Sequence, residues 1–333
     1  MKKTSILFLA IALGGCQSSR TFFPRHLPEE EVKIVRFDNA IIGVRSDSVM
    51  ADIRSLYRDF PDFMPYFVEN ILGIPSADTA YLAEALPKFL NDTIYGFKST
   101  NMREQELLKD VSSIEKDLSG AFARAKYLYP EWEIPQVTLF VSGFNASVLF
   151  VGNDFAVGGD MYLGSDYEYY NRVVNDYQKT TMRPECIAED VVSAWLFRNI
   201  PYTSSKNRLL ENMLYRGKIM YLLSQLFPDT APWETMGYTK AQWDWCVQYE
   251  KAIWNRMMDQ KDLFKAEQRV MNSYLNDGPF TSEISQDSPG RLGTWVGWRI
   301  VESYMNHHEE VSLQALMENG DAQRILEESY YRP

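Results

Sequence analysis

The chain has 333 residues, of which 45% are hydrophobic and 24% are charged, and its formal net charge is −11. This length and composition predict a globular protein with a sizeable hydrophobic core and exclude a low-complexity or disordered chain. The excess of acidic side chains repels phosphate groups, which argues against nucleic acid as a partner and against a basic patch that binds anionic lipids.

The first sixteen residues have the pattern of a bacterial lipoprotein signal. Two lysines precede the apolar run of residues 6–13, and Leu-Gly-Gly-Cys follows at residues 13–16. A basic end stays in the cytoplasm, the apolar run enters the membrane, and small residues give a peptidase access to the backbone. We therefore predict a signal peptide at residues 1–15 and a lipidated Cys16 that anchors the mature chain to a membrane. The alternative is an ordinary secretory signal in which Cys16 is accidental.

The segment after Cys16 predicts a tether and then the start of the folded domain. Residues 16–31 are polar and contain proline, and Gln17, where aspartate would be expected for inner-membrane retention, favours the outer membrane. Residues 32–44 are rich in β-forming side chains and predict one or two strands. Helical periodicity then predicts helices at residues 48–58, 62–72, 78–92 and 103–127.

The pattern changes at residue 135 from helical to β-type. Three short apolar runs, separated by Gly and Asn, predict a small antiparallel sheet of hairpins at residues 136–142, 147–152 and 155–158. After them the chain is helical, with predicted helices at 184–199, 207–226, 239–259, 262–275, 289–306, 312–318 and 321–328. A modest sheet followed by many helices predicts an α+β fold. We expect a single large domain at 32–333, made of an N-terminal part (32–134) and a core (135–333).

Few residues carry obvious chemistry. Adjacent histidines on a helix point about 100° apart, so His307 and His308 cannot clamp one metal ion, and His26 lies in the tether. The chain has no phosphate-binding loop, nucleophile elbow or dinucleotide motif. Four carboxylates remain as candidates for acid–base chemistry, although solvated surface positions are the simpler interpretation: Asp160, Asp166, Glu189 and Asp190.

Aromatic and sulfur-containing side chains leave two questions open. Tryptophans and tyrosines at helical spacing either fill a core or form a glycan-binding platform, at Trp243, Trp245, Tyr249, Trp254, Trp295, Trp298 and Tyr304. Gly293 and Gly297 share one helix face, which predicts close approach of another backbone. Cys186 and Cys246 form a disulfide or are two buried thiols.

Several segments together resemble the GldB-type gliding-motility lipoproteins of the Bacteroidetes. They are the lipobox at Cys16 and residues 60–63, 71–74, 141–145, 160–164, 169–170, 216–221, 288–291, 297–301 and 329–330. The resemblance implies a cell-envelope protein, lipid-anchored in the outer membrane and facing the periplasm. It also implies partners among the envelope proteins of gliding or secretion machinery.

That family in turn is similar, more distantly, to zincin-type peptidases, which bind zinc through an H-E-x-x-H helix that follows a small sheet. Here the corresponding residues 188–192 read Ala-Glu-Asp-Val-Val, so that Ala188 and Val192 replace both histidines and Glu189 remains. Arg216 stands where related peptidases carry glutamate on a later helix. The resemblance therefore implies a zincin-like fold without zinc, cofactor or catalysis, and we expect an ion pair between Glu189 and Arg216 across the former site.

The expected role is binding or scaffolding. The former active-site cleft would offer a peptide groove along the strand edge at residues 155–159, with Gly158, Asp160, Tyr162 and Trp298 as binding residues. Two alternatives remain. One is a hydrolase that uses Glu189 and Asp160, and the other is a glycan- or peptide-binding periplasmic lipoprotein.

Overall fold

The computed structural model describes residues 20–75, 77–92 and 97–333. The signal peptide and Cys16 lie outside these residues, so their predicted roles stay predictions. In the described part of the chain no helix has the length and apolar character needed to cross a membrane.

A four-stranded mixed sheet forms the centre of the α+β fold. Its strands are β1 (Ile34–Arg36), β2 (Val137–Phe140), β3 (Val148–Val151) and β4 (Asp154–Gly158), in the spatial order β1-β2-β4-β3. The β1–β2 and β2–β4 pairs are parallel, and only the β3–β4 hairpin is antiparallel.

The prediction of an all-antiparallel sheet was therefore wrong, although all three predicted strands of the core exist. The reason lies in burial: residues 155–158 of β4 are buried without interruption, whereas the residues of β3 are mostly half-buried. A continuously apolar strand suits the centre of a sheet. Since β4 lies between β2 and β3, the strand edge expected at residues 155–159 does not exist, and β3 is the edge strand instead.

The N-terminal part of the chain, apart from β1, is mainly helical. Its helices are α1 (Phe37–Ile42), α2 (Val49–Asp59), α3 (Phe63–Tyr66) with a π-helical turn at Phe67–Ile71, α4 (Thr79–Asn91), α5 (Phe97–Leu107) and α6 (Ser112–Leu128). Residues 32–44 thus give one strand and one helix, not two strands. The helix predicted at 103–127 is two helices, because Asp110 accepts a hydrogen bond from the Ser112 amide and starts α6 anew.

The C-terminal part is almost entirely helical, as predicted. Its helices are α7 (Tyr170–Val173), α8 (Ile187–Asn199), α9 (Leu209–Leu226), α10 (Pro232–Thr235), α11 (Lys240–Asp259), α12 (Gln268–Leu275), α13 (Leu292–His307), α14 (Leu313–Glu318) and α15 (Ala322–Glu328). The glycines of α13 meet other backbones, as expected: a Cβ on Gly297 would overlap the Met213 carbonyl of α9, and one on Gly293 would crowd Tyr274.

Two hydrophobic clusters lie against the two faces of the sheet. The larger includes Val137, Leu139, Phe155 and Val157 together with α6, α8, α9 and α13, and the smaller joins Phe140 and Ala156 to α1–α4. Burying a large side chain contributes roughly 1.5–3 kcal/mol, so these two clusters supply most of the driving force that holds the sheet in place.

The predicted tether packs on the domain from Arg20 onward. The Arg20 guanidinium donates hydrogen bonds to the Met305, His308 and Val311 carbonyls at the end of α13. Phe22 contacts the Tyr221 ring, edge to face. A cation at the C-terminal end of a helix meets unpaired carbonyls and the negative end of the helix dipole.

Candidate functional site

A cleft of about 450 Å³ opens beside the edge strand. Its walls are the start of β3 at Ser147 and Val148, one side of α8, and Met220 of α9. A smaller pocket of about 310 Å³ adjoins it and shares Ser193, Phe197 and Arg291 with it. The two cavities therefore form one groove that passes from the edge strand to the beginning of α13.

Helix α8 presents its polar residues to this groove. Glu189, Asp190 and Ser193 line the cleft, whereas Ala188 and Val192 are buried in the larger hydrophobic cluster. The two positions that the sequence resemblance compares with zincin zinc ligands, Ala188 and Val192, are thus apolar and packed in the core, and they do not fit a zinc ion. Within the described ranges, no three His, Cys, Asp or Glu side chains are grouped as metal ligands would be.

Burial changes the acidity of both carboxylates in the cleft. It raises the pKa of Glu189 to about 7, against a hydrogen bond from Thr230 that lowers it. It also raises the pKa of Asp190 to about 6, against a hydrogen bond from the Tyr162 hydroxyl, whose oxygen lies 2.8 Å from Asp190 Oδ2. Desolvation disfavours the charged form of an acid, so both groups take up protons close to neutral pH.

Arg216 lies in the smaller pocket and not beside Glu189. Its Nη1 donates a hydrogen bond to the Leu275 carbonyl over 2.7 Å, and no described carboxylate lies within ion-pair distance of it. The expected Glu189–Arg216 ion pair was therefore wrong. The Arg216 guanidinium is held instead by the carbonyl of Leu275, the last residue of α12.

Asp160 is fully buried and holds a turn. Its carboxylate accepts hydrogen bonds from the Ser142 amide and hydroxyl and from the Phe144 amide, at 2.7, 3.1 and 2.5 Å. Asp160 does not line the cleft, so the structure does not bring it together with Glu189. Gly158 is buried just before it, with the Ala146 carbonyl where a Cβ would lie. The two residues shape the turn that leads into β3.

Two threonine hydroxyls on the groove have no hydrogen-bond partner. Thr235 Oγ1 in the cleft and Thr294 Oγ1 in the smaller pocket are buried, and neither bonds to any described group. An unpaired buried hydroxyl costs about 1–3 kcal/mol, which a ligand could offset by bonding to it. Neither hydroxyl was predictable, because nothing in the sequence distinguishes an unpaired threonine from a paired one.

The family model for the gliding motility protein GldB matches residues 25–333, nearly the whole chain after the lipobox. The chain belongs to the GldB family. It is accordingly a gliding motility-associated lipoprotein of the cell envelope. No curated protein and no solved structure matches the chain.

The tryptophans of this GldB-family chain pack in or against its core, whereas Tyr249 is 41% exposed. Trp295 and Trp298 are buried, and Trp243 packs edge to face against both, with ring centroids 6.1 and 5.7 Å apart. All eight tryptophans are buried or half-buried. Trp298 does not line the cleft, whereas Tyr162 does. No tryptophan forms the exposed platform that a glycan site would need.

The remaining candidates lie away from the groove or at its wall. His307 Nδ1 lies within hydrogen-bond distance of the Ser303 carbonyl, and His308 Nε2 of the Glu328 carbonyl. Both rings therefore have backbone partners near the C-terminal end of α13. Cys186 and Cys246 are free thiols, which decides the question the sequence left open. Cys186 lines the cleft, and Cys246 is fully buried.

Proposed function

We propose that this chain is a non-catalytic binding or scaffold subunit of envelope machinery that serves gliding or protein secretion. In this proposal it is lipid-anchored through Cys16 in the outer membrane, faces the periplasm, and has a zincin-like architecture from which the catalytic metal site has been lost. The family match supports the cell-envelope location and the association with gliding motility. The apolar, buried side chains of Ala188 and Val192 support the loss of the metal site.

The observation that carries the binding role is the groove beside β3. This strand pairs only with β4 among the described strands, so its other edge forms no strand pairing within the described structure. Val148 of β3 and Thr235 with its unpaired hydroxyl both line the cleft next to that edge. An extended peptide that adds to a sheet edge gains backbone hydrogen bonds, and side-chain pockets provide its specificity.

A hydrolase remains the alternative that a specific observation favours. Glu189, whose pKa burial raises to about 7, has the acidity of a general base that works at neutral pH. Carboxylates with perturbed pKa values also occur in binding sites. Asp160 does not line the cleft, so it is not available as a second catalytic carboxylate beside Glu189. Glu189→Gln separates the two roles: turnover of an envelope peptide that this variant abolishes would establish the hydrolase, and unaltered peptide binding without turnover would support the scaffold.

Site-directed photo-crosslinking in intact cells tests the proposal. A photoreactive phenylalanine analogue replaces Phe197, a cleft residue with 37% of its surface exposed, in the full lipidated chain. The matched control is the same analogue at Tyr81 on α4, which is 55% exposed and belongs to the other side of the sheet. We expect one or two envelope proteins to be captured at position 197 only.

A second variant tests whether the groove itself is responsible. Ser193→Trp places a bulky side chain in both cavities and should abolish capture at position 197. Equal capture at positions 197 and 81, or capture that persists in the S193W chain, would contradict a partner-binding groove.

A further inference from the structure

The smaller pocket concentrates positive charge in an acidic protein. Its charged lining residues are Arg216, Arg291 and Asp277, which sum to one positive charge, whereas the whole chain carries −11. Such a local reversal of sign attracts an anionic group, and the low-dielectric walls of a pocket strengthen that attraction.

Arg216 provides a guanidinium that forms no direct ion pair with any described carboxylate. It uses one nitrogen on the Leu275 carbonyl and has no carboxylate within ion-pair distance in the described chain. Burial and the nearby Arg291 charge lower its pKa, and the Asp277 charge opposes them only in part, so the protein holds this cation at a cost. A half-buried arginine fork that faces a pocket is suited to bind a carboxylate or phosphate with two parallel hydrogen bonds.

Arg291 lines the same pocket and is held there by two contacts. Its Nε lies 2.9 Å from Asp277 Oδ1, and its Nη2 donates to the Met236 carbonyl. The Arg291 backbone is left-handed, with φ of 59°, immediately before α13 begins at Leu292. This conformation is costly for a residue with a side chain, so the surrounding contacts must hold it in place.

The Thr294 hydroxyl is a buried polar group that a ligand in the pocket could bond to. Thr294 lies in the first turn of α13, only 4% of its surface is exposed, and its hydroxyl has no hydrogen-bond partner among the described groups. It lines the pocket that contains both arginines. The positive end of the helix dipole adds to the field at this point.

We propose that this pocket binds the carboxylate of a peptide through Arg216, Arg291 and the Thr294 hydroxyl. This inference deepens the proposed function and, for the identity of the ligand, rests on it: the groove would prefer peptides with a C-terminal carboxylate or an acidic side chain. A single carboxylate matches the single net positive charge of the pocket, and Asp277 at its rim repels a doubly charged phosphate.

The test uses defined probes on the purified folded chain. Acetyl-trialanine with a free C-terminus, its C-terminal amide, an acetylated Ala-Asp-Ala amide and inorganic phosphate are titrated separately. The arginine side-chain NH signals of nitrogen-15-labelled protein are recorded. We expect saturable shifts of Arg216 and Arg291 with one or both carboxylate peptides, and none with the trialanine amide.

Variants distinguish this site from a general effect of charge. Arg216→Met and Thr294→Val should each weaken carboxylate binding about tenfold, the effect of losing one hydrogen bond to a charged group. Arg124→Met is the matched control, since Arg124 is also half-buried and also donates to a backbone carbonyl, that of Leu226, outside the pocket. T294V removes an unpaired hydroxyl, so it should fold normally even if R216M does not.

The outcomes separate this inference from the proposed function. Equal shifts with the amide, stronger binding of phosphate than of either carboxylate peptide, or unchanged affinity in T294V would overturn the carboxylate pocket. Those results leave the crosslinking at position 197 unaffected. Loss of crosslinking at 197 together with intact carboxylate binding would refute the partner-binding groove alone.

Discussion

Gly217 of α9 and Gly297 of α13 bring the two helix backbones into direct contact. A Cβ on Gly217 would overlap the Gly297 carbonyl carbon, and a Cβ on Gly297 would overlap the Met213 carbonyl. No side chain separates the helices at this point. Because α9 contributes Arg216 to the groove and α13 begins beside Arg291, this contact fixes the distance between the two arginines.

We expect that alanine at either glycine destabilises the protein. Gly217→Ala and Gly297→Ala should each lower the free energy of unfolding by about 3 kcal/mol, because the backbones must move apart. Gly120→Ala in α6 is the control: its Cβ would meet only the flexible end of Arg124, so alanine should raise stability by up to about 1 kcal/mol. Urea unfolding measures all three, and an unchanged stability of G217A would refute the contact.

The Glu189 carboxyl should make stability depend on pH. Its folded pKa of about 7 exceeds the ordinary value of 4.5, so between these values the folded chain holds a proton that the unfolded chain has released. The free energy of unfolding therefore falls as pH rises through this window. Glu189→Gln should gain about 1–2 kcal/mol over the wild type above pH 7 and almost nothing near pH 4. Unfolding curves across this range measure the difference. The exposed Glu185→Gln variant should keep the wild-type profile.

A second buried acid, Glu104 of α5, should also make the free energy of unfolding fall as the pH rises. Both of its oxygens lack hydrogen-bond partners in the described structure, and it packs directly on Gly159. Burial, followed by the Asp160 charge, raises its pKa well above the ordinary value. Glu104→Met should raise the free energy of unfolding by about 1–2 kcal/mol at pH 8, with a smaller gain at pH 5. Glu106→Met, at an exposed position of the same helix, should show no such pH-dependent gain in denaturant titrations.

The two thiols should differ in reactivity. Cys186 lines the cleft, and burial raises its pKa to about 11, so little thiolate exists at neutral pH. We expect slow labelling of Cys186 by a small thiol reagent in the folded protein, and labelling of Cys246 only after unfolding. Mass spectrometry counts the labels, with Cys186→Ser as the control. A cleft ligand should slow the first reaction further, whereas a bridged pair of thiols would refute the assignment.

The sequence predicted the helices of the C-terminal part well because their capping and periodicity are local. The helix predicted at 207–226 is α9 at Leu209–Leu226, and the one predicted at 239–259 is α11 at Lys240–Asp259. The order of the strands was not predicted, since it depends on pairing between β1 and β2, which are about a hundred residues apart in the chain. Alternating short β runs look alike in a hairpin sheet and in this mixed sheet.

The site was only partly predictable for a related reason. Helix α8 carries apolar residues on most of its sides, so its sequence does not reveal that Glu189 and Ser193 face the groove while Val192 faces the core. Arg216 was singled out through the family resemblance, but its partner, the Leu275 carbonyl, is a backbone group that no side-chain pattern shows.

If Cys16 carries a lipid, as proposed, the docked Arg20 limits how far the domain can lie from the bilayer. With a lipid on Cys16, only three residues lie between the anchor and Arg20, whose side chain is held by three carbonyls at the end of α13, so four Cα-to-Cα steps join them. Such a length of chain spans at most about 14 Å. The short linker would then confine the domain to a thin layer next to the bilayer surface. It would meet partners by two-dimensional search, and only those that present a segment at that height.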